Sequence, residues 1–312
     1  MNITPISQSK IFELDDNFNQ FVNLFTLNKL PNKILLSGPE GSGKSTLAYH
    51  LINYIFSQNE NDPYSLELHE INKNNRSFKL VQNNSHPNFY LIDLLDEKKN
   101  IEISQVRKMI TYTNKSSFNN SYKFILIDNI ENLNAYSANA LLKVIEEPNP
   151  NVFFILIHNS KKKILDTLKS RCIIFKLNLT FNQSIKITNQ LLNRNVFDLI
   201  STDLLNYYTT PGNYIKLINF SEENKVNLND LSLSDFLLFL INQNFYKKND
   251  FIKNNIFNYI ELYFLKLLHR SINKNKINSF YTKFIQKIND TKKFNLDYES
   301  LLMEFKSKIL NG

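Results

Sequence analysis

The chain is 312 residues long, 42% hydrophobic and 21% charged, with a net charge of +8 at neutral pH. Its length suits two or three domains, each with a core of its own. The single cysteine, Cys172, excludes an internal disulfide and a multi-cysteine zinc site, and no run approaches the roughly 18 apolar residues of a membrane span.

Met1-Asn2-Ile3-Thr4-Pro5 lacks the basic and then apolar pattern of an export signal, so the expected location is cytoplasmic. The first clear element is Lys33-Ile34-Leu35-Leu36-Ser37, a short apolar run that predicts a buried strand. From Thr46 to Phe56 apolar residues repeat at helical spacing. Between the two lies Gly38-Pro39-Glu40-Gly41-Ser42-Gly43-Lys44-Ser45-Thr46. The whole chain has five glycines, and three of them stand in this segment. Strand, glycine-rich loop and helix in that order fit a phosphate-binding loop. Backbone N–H groups from Gly38, Gly41, Ser42, Gly43 and Thr46 ring the phosphates, Lys44 reaches the terminal ones, and the Ser45 hydroxyl holds Mg²⁺.

A polar stretch rich in Asn, Glu and Lys follows, from Ser57 to Asn84. Strands are then predicted at Phe89–Ile92, Phe124–Ile127, Val152–Ile157 and Ile173–Phe175, with helices near Ser104–Thr113, Ala135–Ile145 and Ile164–Lys169. This alternation, through residue 178, implies an α/β fold with a parallel sheet covered by helices. From residue 179 helical spacing takes over, with a break at Thr210-Pro211-Gly212. Leu233, Phe236, Leu237, Leu240 and Ile241 form one apolar face. Ile256, Ile260, Tyr263, Phe264, Leu267 and Leu268 form another, and both read as helix-bundle core. The basic excess is a lysine bias: only five arginines occur, Arg76, Arg107, Arg171, Arg194 and Arg270, and no basic and aromatic stripe marks a nucleic-acid face.

The strand Phe124–Ile127 runs into Asp128, whose carboxylate is placed to hold Mg²⁺ opposite the loop hydroxyl, directly or through water. ATP-hydrolysing sites of this class commonly carry a glutamate at the next position to orient water. Here that residue is Asn129, whose amide cannot accept a proton, so hydrolysis by this chain alone is expected to be weak or absent. Glu131 is two positions further on and, with the chain helical beyond Asn129, is expected to point elsewhere.

The run Asn134-Ala135-Tyr136-Ser137-Ala138-Asn139-Ala140-Leu141-Leu142-Lys143-Val144-Ile145-Glu146-Glu147-Pro148 has Ser85-His86-Pro87 ahead of it and Thr167-Leu168-Lys169-Ser170-Arg171-Cys172 behind it. Together these resemble the bacterial clamp-loader ATPases of the AAA+ class, and within them most closely the delta prime kind of DNA polymerase III subunit. The resemblance is close over residues 28–178 and general beyond. It implies an AAA+ domain over residues 1–178, a small helical lid over 179–222 and a C-terminal helical collar domain over 223–312. ATP or ADP with Mg²⁺ is the implied cofactor. Arg171 matches the arginine that reaches into a neighbouring subunit's ATP site, where a planar fixed charge stabilises the γ-phosphate. His158 and Asn159 match a polar position near that phosphate, with Asn159 preferred. Glu146, Glu147 and Pro148 are expected to end a helix and take no part in chemistry. The implied work is to assist ATP-driven loading of the sliding clamp onto primed DNA, beside motor gamma/tau and delta subunits.

Two departures qualify the resemblance. Ser57 to Asn84 lacks the zinc-binding cysteines of many clamp-loader subunits, so no zinc is expected. Asn213, in Pro211-Gly212-Asn213-Tyr214, stands where an active motor would carry an ATP-sensing arginine. With Asn129, this suits a subunit that binds nucleotide and hydrolyses it poorly. The alternatives are a gamma/tau-like motor, a DNA-repair motor with the same core, and a freestanding P-loop phosphotransferase. The first two want the missing glutamate, and the third wants more lid arginines.

Overall fold

The apolar runs and helical repeats of the first half close into one sheet. A computed structural model describes residues 3–95, 98–149, 151–206, 209–270, 274–294 and 297–307; Met1 and Asn2, read above for an export signal, lie outside them. The chain divides into two compact units, Met1–Leu191 with Thr210–Asn213, and Leu192–Thr209 with Tyr214–Gly312. In chain order the first unit contains α1 (Asp15–Thr26), β1 (Lys33–Gly38), α2 (Lys44–Ser57), α3 (Arg76–Gln82), β2 (Phe89–Ile92), α4 (Ile103–Thr113), β3 (Lys123–Ile127), α5 (Ala135–Glu146), β4 (Val152–Asn159), α6 (Asp166–Lys169), β5 (Ile173–Lys176) and most of α7 (Phe181–Leu192).

All five strands are parallel, in the order β2-β3-β4-β1-β5. The inner strands of such a sheet are covered on both faces, which is why β1, β3 and β4 read as unbroken apolar runs and not as alternating ones, whereas β5 at the edge leaves Ile173 and Ile174 exposed. β3 is buried at every position. Its successive side chains serve opposite layers. Phe124 and Leu126 join Ile34, Leu36 and Ile155 against Phe18 and Phe21 of α1 and Leu47 and Ile52 of α2. Ile125 and Ile127 join Leu35, Phe154 and Leu156 against Val106 and Met109 of α4 and Leu141 and Ile145 of α5. At about 1.5–3 kcal/mol for each large apolar side chain removed from water, these two layers hold the C-terminal ends of β1, β3 and β4 in fixed register. The register pairs Gly38 with Asn159 and sets Ile127 beside Leu156.

Two helices go beyond the sequence expectations. α1 buries only Phe18, Phe21 and Val22. α3 lies inside the polar stretch, where Asn75 caps it by accepting from the Phe78 N–H at 2.8 Å. The Asn75 amide in turn donates to Glu60 Oε2 at 2.6 Å, and the Ser77 hydroxyl donates to Glu60 Oε1 at 2.6 Å. One carboxylate therefore organises a segment that has little apolar material of its own.

His50 of α2 is wholly buried, with Nδ1 2.9 Å from the Tyr64 hydroxyl and Nε2 3.2 Å from the Gln8 carbonyl. A neutral ring with its proton on Nε2 satisfies both partners. Burial pushes the imidazole down to about 3, with the Gln8 carbonyl opposing and His69 reinforcing that shift. An unfolded histidine titrates near 6.5, so between about 6.5 and 3 the unfolded chain holds a proton that the folded one does not, and stability falls as pH falls through that window. From pH 7 to 5 the cost is about 2 kcal/mol from this residue. Urea denaturation at the two pH values should show that much less pH dependence in His50→Gln; equal dependence in both proteins would refute it.

The second unit is helical: the greater part of α8 (Pro211–Glu223), then α9 (Leu233–Asn242), α10 (Phe245–Lys248), α11 (Asp250–Arg270), α12 (Lys274–Phe294) and α13 (Tyr298–Phe305). Ser232 caps α9, its Oγ accepting from the Asp235 N–H at 3.1 Å. All five residues of the first predicted apolar face, Leu233 to Ile241, are buried. Of the second face, Ile256, Ile260 and Phe264 are buried, while Tyr263, Leu267 and Leu268 are half-buried. Asp203 ties two of these helices together, accepting from Leu233 N at 2.7 Å and Lys266 Nζ at 2.9 Å. Among the described residues no helix is long and apolar enough to cross a membrane.

Candidate functional site

The glycine loop leaves the end of β1 and enters α2 at the C-terminal edge of the sheet. Gly41 and Gly43 have φ of +76° and +87°, the left-handed region that costs other residues strain. At Gly41 a Cβ would lie 2.8 Å from Thr210 Oγ1 and 2.9 Å from the Gly212 Cα. Thr210 donates to the Glu40 carbonyl at 2.7 Å and the Gly212 N–H donates to the Gly41 carbonyl at 3.0 Å. The short segment Thr210–Asn213 thus lies directly on the loop. The sequence held one sign of it: Gly212 is a fourth glycine in a chain of five.

Ser42 is buried and donates to the Pro39 carbonyl at 2.9 Å, fixing the tip of the loop. Thr46, half-buried, stands in the first turn of α2. Lys44, 5% exposed, donates from Nζ to the carbonyls of Gly38 at 2.9 Å and Pro39 at 2.6 Å. Burial pushes its ammonium down to about 8, against the pull of Asp128, Glu131 and Glu40. Ser45 donates to Asp128 Oδ2 at 2.6 Å, so the loop hydroxyl and the acid at the end of β3 meet as expected from the sequence. Burial raises the Asp128 carboxyl to about 6; the Ser45 hydrogen bond lowers it and the nearby Asp93 charge raises it further.

Asn129 takes a left-handed conformation, φ 55° and ψ 44°. Its N–H donates to Asp128 Oδ1 at 2.8 Å and its side-chain amide to Asp93 Oδ1 at 2.8 Å. The amide is committed to a neighbouring acid. Asp93, just past β2, is a member of this acidic group that sequence reasoning passed over.

Glu131 corrects an expectation. It does not point away: its side chain is 1% exposed. Oε2 accepts from the backbone N–H of Asn159 at 3.1 Å, and Oε1 lies 3.5 Å from Lys162 Nζ. The left-handed turn at Asn129 and the short 3-10 turn Ile130–Asn132 bring the chain back over the sheet edge. Asn159 ends β4 beside Gly38, with its side-chain oxygen accepting from the Lys161 N–H at 3.1 Å. His158 is buried, with Nδ1 3.0 Å from the Ser37 hydroxyl and Nε2 2.9 Å from the Lys162 carbonyl, contacts that make it part of the scaffold.

Arg171 stands apart, in the turn between α6 and β5. Its Nε donates to Glu146 Oε1 at 2.8 Å, Nη2 donates to the same oxygen, and Nη1 donates to the Thr167 carbonyl at 2.9 Å. The side chain is 34% exposed. Glu146 does end α5. Asn213, in the first turn of α8, offers no charge and donates its N–H to the Thr210 carbonyl at 3.0 Å.

A parallel sheet in this order, a glycine loop between β1 and α2, an acid ending β3 against the loop hydroxyl and a polar residue ending β4 define the P-loop fold of the AAA+ type. Residues 14–180 match the family described as "DNA polymerase III, delta subunit", and the chain belongs to that family. It is 29% identical over 169 residues to the DNA polymerase III subunit delta' of Buchnera aphidicola subsp. Baizongia pistaciae, covering 53% of this chain and 49% of that one. To the DNA polymerase III subunit gamma of Buchnera aphidicola subsp. Schizaphis graminum it is 32% identical over 166 residues, 52% of this chain and 42% of that one. The chain spans about half the length of the curated relatives it matches. A gamma subunit-related protein of Thermotoga maritima, 17% identical, aligns over 91% of this chain and 96% of its own with a TM-score of 0.47.

Proposed function

We propose that this chain is a delta prime-type subunit of a DNA polymerase III clamp loader, binding ATP or ADP and assisting ATP-driven loading of the sliding clamp onto primed DNA. The observation that carries the reading is a complete phosphate-binding constellation beside a position that holds an amide. Lys44, Ser45 and Asp128 are brought together, while Asn129, at the place of the water-orienting glutamate, is bound to Asp93.

These residues suit a magnesium nucleotide. The loop N–H groups and Lys44 would take the phosphates, and Ser45 with Asp128 would hold Mg²⁺, which when bound neutralises phosphate charge. Asn159 would lie near the last phosphate. Arg171 would act in a neighbouring subunit's site. Residues 1–178 would be the nucleotide-binding domain, 179–222 the lid and 223–312 the collar through which the subunit joins the motor gamma/tau and delta subunits in the cytoplasm. The clamp and primer–template DNA would meet the assembly and not this chain alone. A gamma-like motor is the lesser reading, because Asn129 and Asn213 remove two groups that a motor needs.

The test is turnover alone and in company. The purified chain should hydrolyse ATP slowly or not at all, since it lacks both its own glutamate and a neighbour's arginine, a loss of roughly 10³-fold or more for the arginine alone. Mixed with motor and delta subunits it should co-elute as one complex and raise DNA-stimulated turnover. Several turnovers per second by the isolated chain, or failure to join the complex, would sink the proposal.

A further inference from the structure

Glu131 is a charged group that the reading above does not use. A general base needs access to water, and a carboxylate 1% exposed has none. It is instead a fixed negative charge with defined anchors: the Asn159 N–H on one oxygen and Lys162 on the other. Lys162 is half exposed, and its Nζ is 3.5 Å away, so the pair is loose and the carboxylate is only partly compensated.

The place of that charge matters. Asn159 is the register partner of Gly38, whose carbonyl accepts from both Lys44 Nζ and the Ser160 N–H. Glu131 therefore sits at the β4 side of the loop, among the acids acting on the Lys44 ammonium with Asp128 and Glu40. A P-loop lysine serves the last two phosphates of a triphosphate, so this is the side on which a third phosphate adds its charge. Like charges in a partly buried setting repel far more than in water.

We propose that Glu131 sets the phosphate number the loop accepts, favouring a nucleoside diphosphate over the triphosphate. The inference rests on the nucleotide-binding reading. Lys162 tunes it by offsetting part of the charge, and the Asn159 N–H keeps the carboxylate turned inward.

Calorimetric titration of the full chain with Mg²⁺-ADP and with a non-hydrolysable Mg²⁺-ATP analogue tests it. The wild type should bind the diphosphate more tightly. Glu131→Gln keeps an acceptor for the Asn159 N–H and removes the charge, so affinity for the analogue should rise about tenfold, with that for ADP changing about twofold at most. Lys162→Met unmasks the charge and should move the ratio the other way. Opposite signs from the two variants cannot come from a loosened fold. An unchanged ratio in both variants, or a shift of the same sign in both, overturns the role of Glu131 and leaves the nucleotide site standing. No binding of either ligand by the wild type removes the site and this inference together.

Discussion

Replacing Lys44 by alanine is expected to weaken binding of both ADP and ATP about 10²-fold while the chain stays folded. A hydrogen-bonded ammonium facing phosphate is the strongest single contact such a loop offers, and alanine removes both charge and donor. What remains would bind poorly, since Asp128, Glu131 and Glu40 all act on the loop lysine and would face the phosphates without it. The fold should tolerate the change. The Gly38 carbonyl keeps the Ser160 N–H at 3.0 Å and the Pro39 carbonyl keeps the Ser42 hydroxyl at 2.9 Å, so neither loses its last donor. The alanine side chain also spares the cost of holding a cation at a site 5% exposed. Titration calorimetry beside thermal unfolding reads both parts. Equal affinity in the wild type and Lys44→Ala would show that the loop is not the site.

Most of the sheet was legible because its inner strands β1, β3 and β4 are buried on both faces and so read as short apolar runs with polar breaks on either side, while β5 reads as an apolar run although Ile173 and Ile174 stay exposed at the sheet edge. α1 escaped that reading. Its three buried side chains, Phe18, Phe21 and Val22, stand among Asp16, Asn19, Gln20 and Asn23, all of them exposed. α3 is short and polar, and it is held by the Asn75 cap and by Glu60, fifteen residues before that cap, a contact that no local periodicity can announce.

In the site, contiguous features were plain in the sequence and folded-back ones were not. Lys44 and Ser45 belong to a single motif, and Asp128 ends a recognisable strand. Glu131 was misread because the expectation assumed a helix beyond Asn129. The left-handed residue and the single 3-10 turn reverse that direction and bury the carboxylate. Asp93 and Thr210 reach the site from 35 residues before Asp128 and 170 residues after Glu40, separations at which only the tertiary fold decides proximity. Glu146, read as a helix end without a chemical part, is also the partner of Arg171.

The second large effect concerns that arginine. Arg171→Ala should leave nucleotide binding by this chain unchanged, because its hydrogen bonds go to Glu146 and Thr167 and not to the glycine loop. In the assembled complex it should cut ATP hydrolysis at the site it faces roughly 10³-fold, the scale on which a finger arginine acts in trans. The isolated chain should unfold within a few degrees of the wild type: side chains 34% and 49% exposed make a surface ion pair worth about 1 kcal/mol or less. Lysine should restore little, since a point charge cannot offer the guanidinium fork that meets a carboxylate and a carbonyl and still has N–H groups to spare for phosphate. Glu146→Ala separates resting contact from function. It leaves the charge and frees the side chain, so its effect on the complex should be smaller than that of Arg171→Ala. The measurements are DNA-stimulated turnover and clamp loading by the complex, with thermal unfolding of the single chain. If Arg171→Ala unfolds the isolated protein, the ion pair with Glu146 is the residue's whole purpose; if the complex keeps full activity, the arginine acts in no neighbouring site.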